Sequence, residues 1–142
     1  LVTPNLREAE VLTGRPVTNP GEMADAARAL VDLGARAALV TGGHLTAKGG
    51  ESLAEDVIDV FFDGRMVREF SAERVPTRST HGTGCTLSAA VVAGLALGRS
   101  LEASIAAAKR YVRRAIQGAL PVGHGAISLN HLVLADGRDE KP

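Results

Sequence analysis

The densest chemistry in this sequence is the run Thr80-His81-Gly82-Thr83-Gly84-Cys85-Thr86. Two glycines let the backbone turn tightly, with no Cβ to hold an anion at a distance. The small residues that follow predict a helix to about Leu97, whose first N–H groups lack partners and carry the positive end of its dipole. Together these features suit a phosphate. A Gly-x-Gly alone weighs evenly between an anion site and a plain helix-starting turn. Cys85 stands one residue past the turn, where a thiol could act as a general base or hold an acceptor hydroxyl. Its spacing alone favours the blander reading, a small buried hydrophobe.

Two further constellations bear on chemistry. Asn5 and Glu8 are three apart at a helix start, so both face one side and could hold water around Mg²⁺. The same pair could simply be an N-cap with its capping-box acid. Gly42-Gly43 follows a short apolar strand, and open α/β sheets bind ligands beyond the carboxyl ends of their strands. A simple turn explains that pair equally well. His44, His81, His124 and His131 are too scattered to form a metal set, and Arg110, Arg113 and Arg114 read as a solvated helix face.

The elements that must position these residues are legible from caps and periodicity. Leu1 to Thr3 reads as a strand end, which Pro4 stops for want of an N–H. Asn5 caps a short helix that Gly14 closes. Asn19-Pro20 with Glu22 starts a second helix, whose apolar stripe through Met23, Ala26, Ala27, Leu30 and Leu33 runs until Gly34. Ala37 to Val40 reads as a buried parallel strand, and 46–55 as a polar surface loop. Asp63-Gly64 between Asp56 to Phe62 and Arg65 to Phe70 predicts a two-residue β-hairpin. Ser100 caps a last helix to about Gln117. A loop over 118–125 and a charged tail from Asp136 follow. The alternation of strands and helices gives an α/β class with a mostly parallel sheet joined by the hairpin.

The bulk numbers narrow the function classes. The 142 residues fit one domain, and 45% hydrophobic with 23% charged residues is an ordinary globular composition. Sixteen basic residues balance sixteen acidic ones, which removes any general electrostatic case for nucleic acid or an anionic membrane. No stretch approaches the ~20 apolar residues of a membrane helix. A single cysteine cannot form an internal disulfide, so a reducing cytoplasm is the expected compartment.

Several pieces in this order resemble one family: Thr3-Pro4-Asn5-Leu6-Arg7-Glu8-Ala9-Glu10, Gly42-Gly43-His44-Leu45, the run Ser79 to Leu87, Gly123-His124-Gly125, and Asn130-His131. They resemble the hydroxymethylpyrimidine and phosphomethylpyrimidine kinases of thiamine biosynthesis, in the ribokinase-like superfamily. The resemblance implies a three-layer αβα fold, of which residues 1–142 would be the C-terminal, nucleotide- and phosphate-binding half. It implies ATP and Mg²⁺, with Gly82, Thr83 and Gly84 as the anion hole, Cys85 at the catalytic base position, and Asn5 and Glu8 organising the metal. Thr41, Gly42 and Gly43 would form the nucleotide-side loop, and small residues including Ala107 would line the adenine region. The acceptor would be a small pyrimidine; pyridoxine or pyridoxal kinase, or a non-catalytic nucleotide-binding fragment, are the alternatives. An uncovered sheet edge would invite homo-oligomerisation.

Two departures stand out. Thr41 replaces the Lys common in that branch, and Gly125 to His131 lacks its usual Gly-Pro-Val-Asn-His spacing. The opening at Leu1, without Met or a lead-in, is read as the start of a separated half, expected to bind pyrimidine weakly by itself.

Overall fold

A computed structural model describes residues 1–45, 54–76, 81–121, 124 and 127–133. Residues 46–53 of the polar loop expected over 46–55, positions 77–80 with Ser79 and Thr80, Gly123, Gly125 and the charged tail lie outside them. The chain divides into two units, Leu1–Arg74 and Val75–Pro142.

The first unit holds two helices and a three-stranded sheet: α1 (Leu6–Thr13), α2 (Pro20–Asp32), β1 (Ala38–Val40), β2 (Asp56–Phe62) and β3 (Val67–Glu73). Local signals set the helix ends. Asn5 and Asn19 accept from the N–H groups of Glu8 and Glu22, Pro20 occupies the first turn of α2, and Gly14 closes α1 in the left-handed conformation. The α2 stripe of Met23, Ala26, Ala27 and Leu30 is buried with Ala38, Val40 and Val60, which lie on one face of the sheet by their twofold spacing. Burying a side chain the size of Met or Leu contributes about 1.5–3 kcal/mol, so this stripe fixes α2 on the sheet.

The sheet corrects the expected strand pairing. Its order is β1-β2-β3, with both neighbours antiparallel. Among the described residues, parallel pairing is confined to isolated bridges between the chain start and the β1 region, Val2 with Ala38 and Asn5 with Thr41. The apolar run at β1 shows that the strand is buried, but burial does not encode the direction of its partner. Pro4 does not end the pairing, because its carbonyl still accepts the Thr41 N–H at 2.9 Å. A proline lacks only the donor, and no donor is used there.

The hairpin is present with a longer turn than expected. Phe62 pairs with Val67, leaving the four residues 63–66 as the loop. The Asp63 carboxylate accepts from the N–H groups of Arg65 and Met66, both at 2.8 Å, which withdraws those two amides from the ladder. These donations hold the Asp63 carboxyl below its ordinary range, the Met66 N–H having the largest effect. Thr18 does the same for Glu22 through its N–H and its hydroxyl. Because the folded state favours the ionised form, this support is present above the unfolded carboxylate pKa and lost as pH falls through the folded one. The protection factor of the Met66 amide, its exchange rate relative to an unstructured peptide at the same pH, should therefore fall as pH drops below the ordinary carboxylate range. In Asp63→Asn, which keeps an acceptor without a titrating proton, that acid-dependent step should vanish.

The second unit is a helix pair, α3 (Thr83–Ala96) and α4 (Leu101–Gln117). Ser100 caps α4 through the Ala103 N–H. The slimness of α3 has a packing cause where Gly94 meets α4. A Cβ there would come within 2.7 Å of Ser104 Oγ. Leu87, Val91 and Gly94 are buried along this side, whereas Val92 and Leu95 remain exposed. The end of the described chain is tied back to α4: Asn130 N–H donates to the Ala115 carbonyl and the Tyr111 hydroxyl to that of His131.

Candidate functional site

In the first unit, topology alone gathers three of the expected pieces. The chain start and β1 run parallel and end side by side, so Asn5 is bridged to Thr41. Both α1 and the loop Gly42-Gly43-His44 thus begin at the carboxyl ends of adjacent parallel segments, the position where α/β sheets hold ligands. A cleft of about 670 Å³ opens there, lined by Asn5, Arg7, Glu8, Thr18, His44 and Leu45 among others. That volume suits a small molecule or the phosphates of a nucleotide.

Asn5 and Glu8 form a complete capping box in this cleft. The Asn5 side chain accepts from Glu8 N–H at 2.9 Å, and Glu8 Oε2 accepts from Asn5 N–H at 2.8 Å. The structural role proposed for the pair is therefore realised. It leaves Glu8 Oε1 uncommitted among the described residues. No group of three His, Cys, Asp or Glu among those residues could ligate a metal directly. The pair accordingly fits a metal held through water or phosphate rather than a protein-only cage.

The two glycines of the loop differ sharply. Gly42 is buried, and a Cβ on it would overlap the Ile58 carbonyl oxygen and come within 2.9 Å of Leu45 Cδ1. Its glycine is demanded by the close passage of β2. Gly43 has open space where a Cβ would stand, so packing among the described residues does not require a glycine there. Two side chains hold this loop that the sequence did not single out. Asp59, only 4% exposed, accepts the Gly42 N–H at 2.9 Å. Arg74 donates from Nη1 to the Gly43 carbonyl at 2.7 Å and from Nε to that of Ala54 at 2.6 Å. One signal for Asp59 was available. An acid inside the apolar run Val57 to Phe62 must be paired if it points inward. His44, set aside as part of a metal set, lines the cleft itself.

In the second unit, Gly82 is the residue before α3 and sits at φ +84°, a conformation that disfavours any side chain. The N-cap Gly82 has no side chain with which to cap the helix, and the first internal bond runs from Thr86 N–H to the Gly82 carbonyl among the described residues. The amides of Thr83, Gly84 and Cys85 therefore precede the intrahelical ladder. Gly84 is exposed, has no positive φ, and would meet nothing within 4 Å if it carried a Cβ. Cys85 is free and exposed, which removes the buried-hydrophobe reading of that thiol. Ala107 is 9% exposed on α4, so it presents little more than the slim backbone surface of that helix.

Among the described residues, no helix is long and apolar enough to cross a membrane. The family model described as phosphomethylpyrimidine kinase matches residues 1–130. A hydroxymethylpyrimidine/phosphomethylpyrimidine kinase from Rhizobium meliloti is 47% identical over 134 residues, which is 92% of this chain and 48% of that protein. The thiamine biosynthesis bifunctional protein ThiED of Geobacter sulfurreducens is 45% identical over 136 residues, 96% of this chain and 26% of its own length. The ADP complex of Bacillus subtilis pyridoxal kinase superposes with a TM-score of 0.81 at 36% identity, covering 92% of this chain and 49% of that one. The chain thus spans about a quarter to a half of the length of these relatives.

Proposed function

The chain belongs to the phosphomethylpyrimidine kinase family, and we propose that residues 1–142 together form the C-terminal, phosphate-handling half of an ATP-dependent kinase of hydroxymethylpyrimidine and its monophosphate. The observation that carries this reading is the turn at Gly82 to Cys85, which starts a helix on a glycine at positive φ and leaves space at Gly84 with nothing within 4 Å among the described residues. Both features are what a transferring phosphoryl group needs. The remaining sheet of a three-layer, mostly parallel αβα fold would come from the part of the relatives that this chain does not span. The proposed setting is the cytoplasm, with no nucleic-acid or membrane partner.

The acceptor hydroxymethyl oxygen attacks the γ-phosphorus as the bond to the leaving ADP breaks, and the hydroxyl proton passes to a base. Cys85 is that base in our assignment. Gly82, Thr83 and Gly84 steady the charge on the equatorial oxygens, so catalysis is chiefly positioning and charge stabilisation. Thr41, Gly42 and Gly43 hold the nucleotide side, and the slim surface near Ala107 accommodates the adenine. Asn5 and Glu8 would hold the hydration shell of Mg²⁺, which neutralises phosphate charge when bound. In the second phosphorylation the attacking oxygen belongs to a phosphate and is already ionised near neutral pH. It has no proton to lose.

That difference gives the test. Cys85→Ala should slow the first phosphorylation about a hundredfold or more, the usual worth of a positioned base, and leave the second largely intact. The measurement is coupled ATP turnover by the 142-residue chain and by any longer protein that contains it, with hydroxymethylpyrimidine, its monophosphate and pyridoxal compared. Equal slowing of both steps removes the base role. A preference for pyridoxal favours the second reading, to which the superposition on pyridoxal kinase lends weight. ATP binding without turnover on any acceptor points to a non-catalytic nucleotide-binding protein.

A further inference from the structure

The loop Gly42-Gly43-His44 is held from two sides, by a buried carboxylate and a half-buried guanidinium. The Asp59 carboxylate is buried and takes the Gly42 N–H. The Arg74 guanidinium takes the carbonyls of Gly43 and Ala54. The Gly42 carbonyl is occupied in turn by the Leu45 N–H at 2.9 Å, and Leu45 accepts from Ala54 N–H at 3.0 Å. Every inward polar group of the turn is thereby committed. The N–H groups of Gly43 and His44 are what is left over, with no acceptor among the described residues. Adjacent amides without an intramolecular acceptor are available to an anion.

We propose that Asp59 and Arg74 are positioning residues for nucleotide binding, acting through the Gly42-Gly43-His44 loop without touching the nucleotide. The proposal rests on the assignment of that loop to the nucleotide side. Two features separate it from plain stabilisation. First, Asp59 lies in an apolar strand, where an ionised carboxylate is expensive to bury unless its bonds are needed. Second, Arg74 Nη2 is buried with no hydrogen-bond partner among the described residues. A buried donor left unanswered calls for a reason beyond packing, and holding the Gly43 carbonyl supplies one. Both costs are incurred at the two peptide groups that fix the orientation of the Gly43 and His44 amides. Thr41 adds a reason for such rigidity. Without a lysine at that position to attract phosphate, the loop must rely on its backbone dipoles, and these work only when preorganised.

The test uses Asp59→Ala, Asp59→Asn and Arg74→Lys in the 142-residue chain and in any longer protein containing it. ADP affinity is measured by calorimetry, and amide exchange is followed at residues 42–45. Asp59→Ala and Arg74→Lys should each weaken ADP about tenfold, the loss expected for one charge-assisted hydrogen bond, and speed exchange at those amides. Asp59→Asn keeps an acceptor for the same N–H and should restore most of the affinity. In steady-state turnover the KM for ATP should rise while the KM for the acceptor holds. A general loss of structure would instead move both together and sink the proposal. If wild type binds ADP and the folded variants bind it equally well, the loop assignment stands and the positioning role falls. If wild type takes no nucleotide while Asp59→Ala still speeds exchange, the loop assignment itself fails, and the proposal with it.

Discussion

Gly84→Ala should leave the chain as stable as wild type, or slightly more so, while phosphoryl transfer falls about a hundredfold. The stability half follows from geometry. Gly84 is in the first turn of α3, without a positive φ, and a Cβ there would meet nothing within 4 Å. Alanine is the better helix former by up to about 1 kcal/mol, so no penalty is expected from the fold. The activity half follows from the same empty space. If a phosphoryl oxygen must approach the amides of Gly84 and Cys85, a methyl group on Gly84 keeps it at a distance. The ordered amides then lose the short contact on which charge stabilisation depends. Melting temperature and kcat measured on one preparation check both halves. A folded Gly84→Ala variant with unchanged kcat would remove the anion-hole assignment, because packing among the described residues gives no other reason for glycine at that position.

Gly82 makes the contrast sharper. Its φ of +84° gives it a conformational reason to be glycine, so loss of activity on substitution there would carry two explanations at once. Within this turn, Gly84 is the glycine that separates ligand space from backbone strain.

Local signals made much of this fold legible, and non-local ones did not. The caps at Asn5, Asn19 and Ser100 lie where their sequence context puts them, because a cap is decided within four residues. The stripe of α2 was readable from Met23 to Leu30 for the same reason, but Leu33, expected on it, stands 70% exposed as the C-cap, where the helical spacing no longer applies. Strand direction was not readable. β1 reads as buried whichever way its neighbours run, and its antiparallel pairing with β2 depends on residues some twenty positions away. The hairpin turn was located but its length was missed, since the deciding interaction is a side chain accepting two backbone amides. At the candidate site, the glycines and Cys85 were visible as a motif. Asp59 and Arg74 were not, because their partners lie 17 and 31 residues away and no short pattern records such a bond.

The glycine pair in the nucleotide-side loop carries the other large expectation. Gly42→Ala should destabilise the first unit by about 3 kcal/mol, at the upper end for an overpacked site. The added methyl would overlap the Ile58 carbonyl, which belongs to the β2 backbone, and press on Leu45 Cδ1. A side chain can rotate away, but a strand carbonyl cannot move without disturbing its ladder. Moving the loop instead would break the Gly42 bond to Asp59, leaving a buried carboxylate one donor short. Gly43→Ala meets none of this, having open space and no positive φ, and should melt with wild type. Its effect should be confined to nucleotide affinity, measured by ADP calorimetry. Two adjacent glycines with the same motif status are thus expected to fail differently, one in urea unfolding and the other in binding. If Gly43→Ala lost stability as Gly42→Ala does, the loop would be a packing turn throughout, and its assignment to ATP would lose its physical basis. If Gly43→Ala kept both stability and ADP affinity, the phosphates would have to be held elsewhere, and the turn at Gly82 to Cys85 would be left to bind them without this loop.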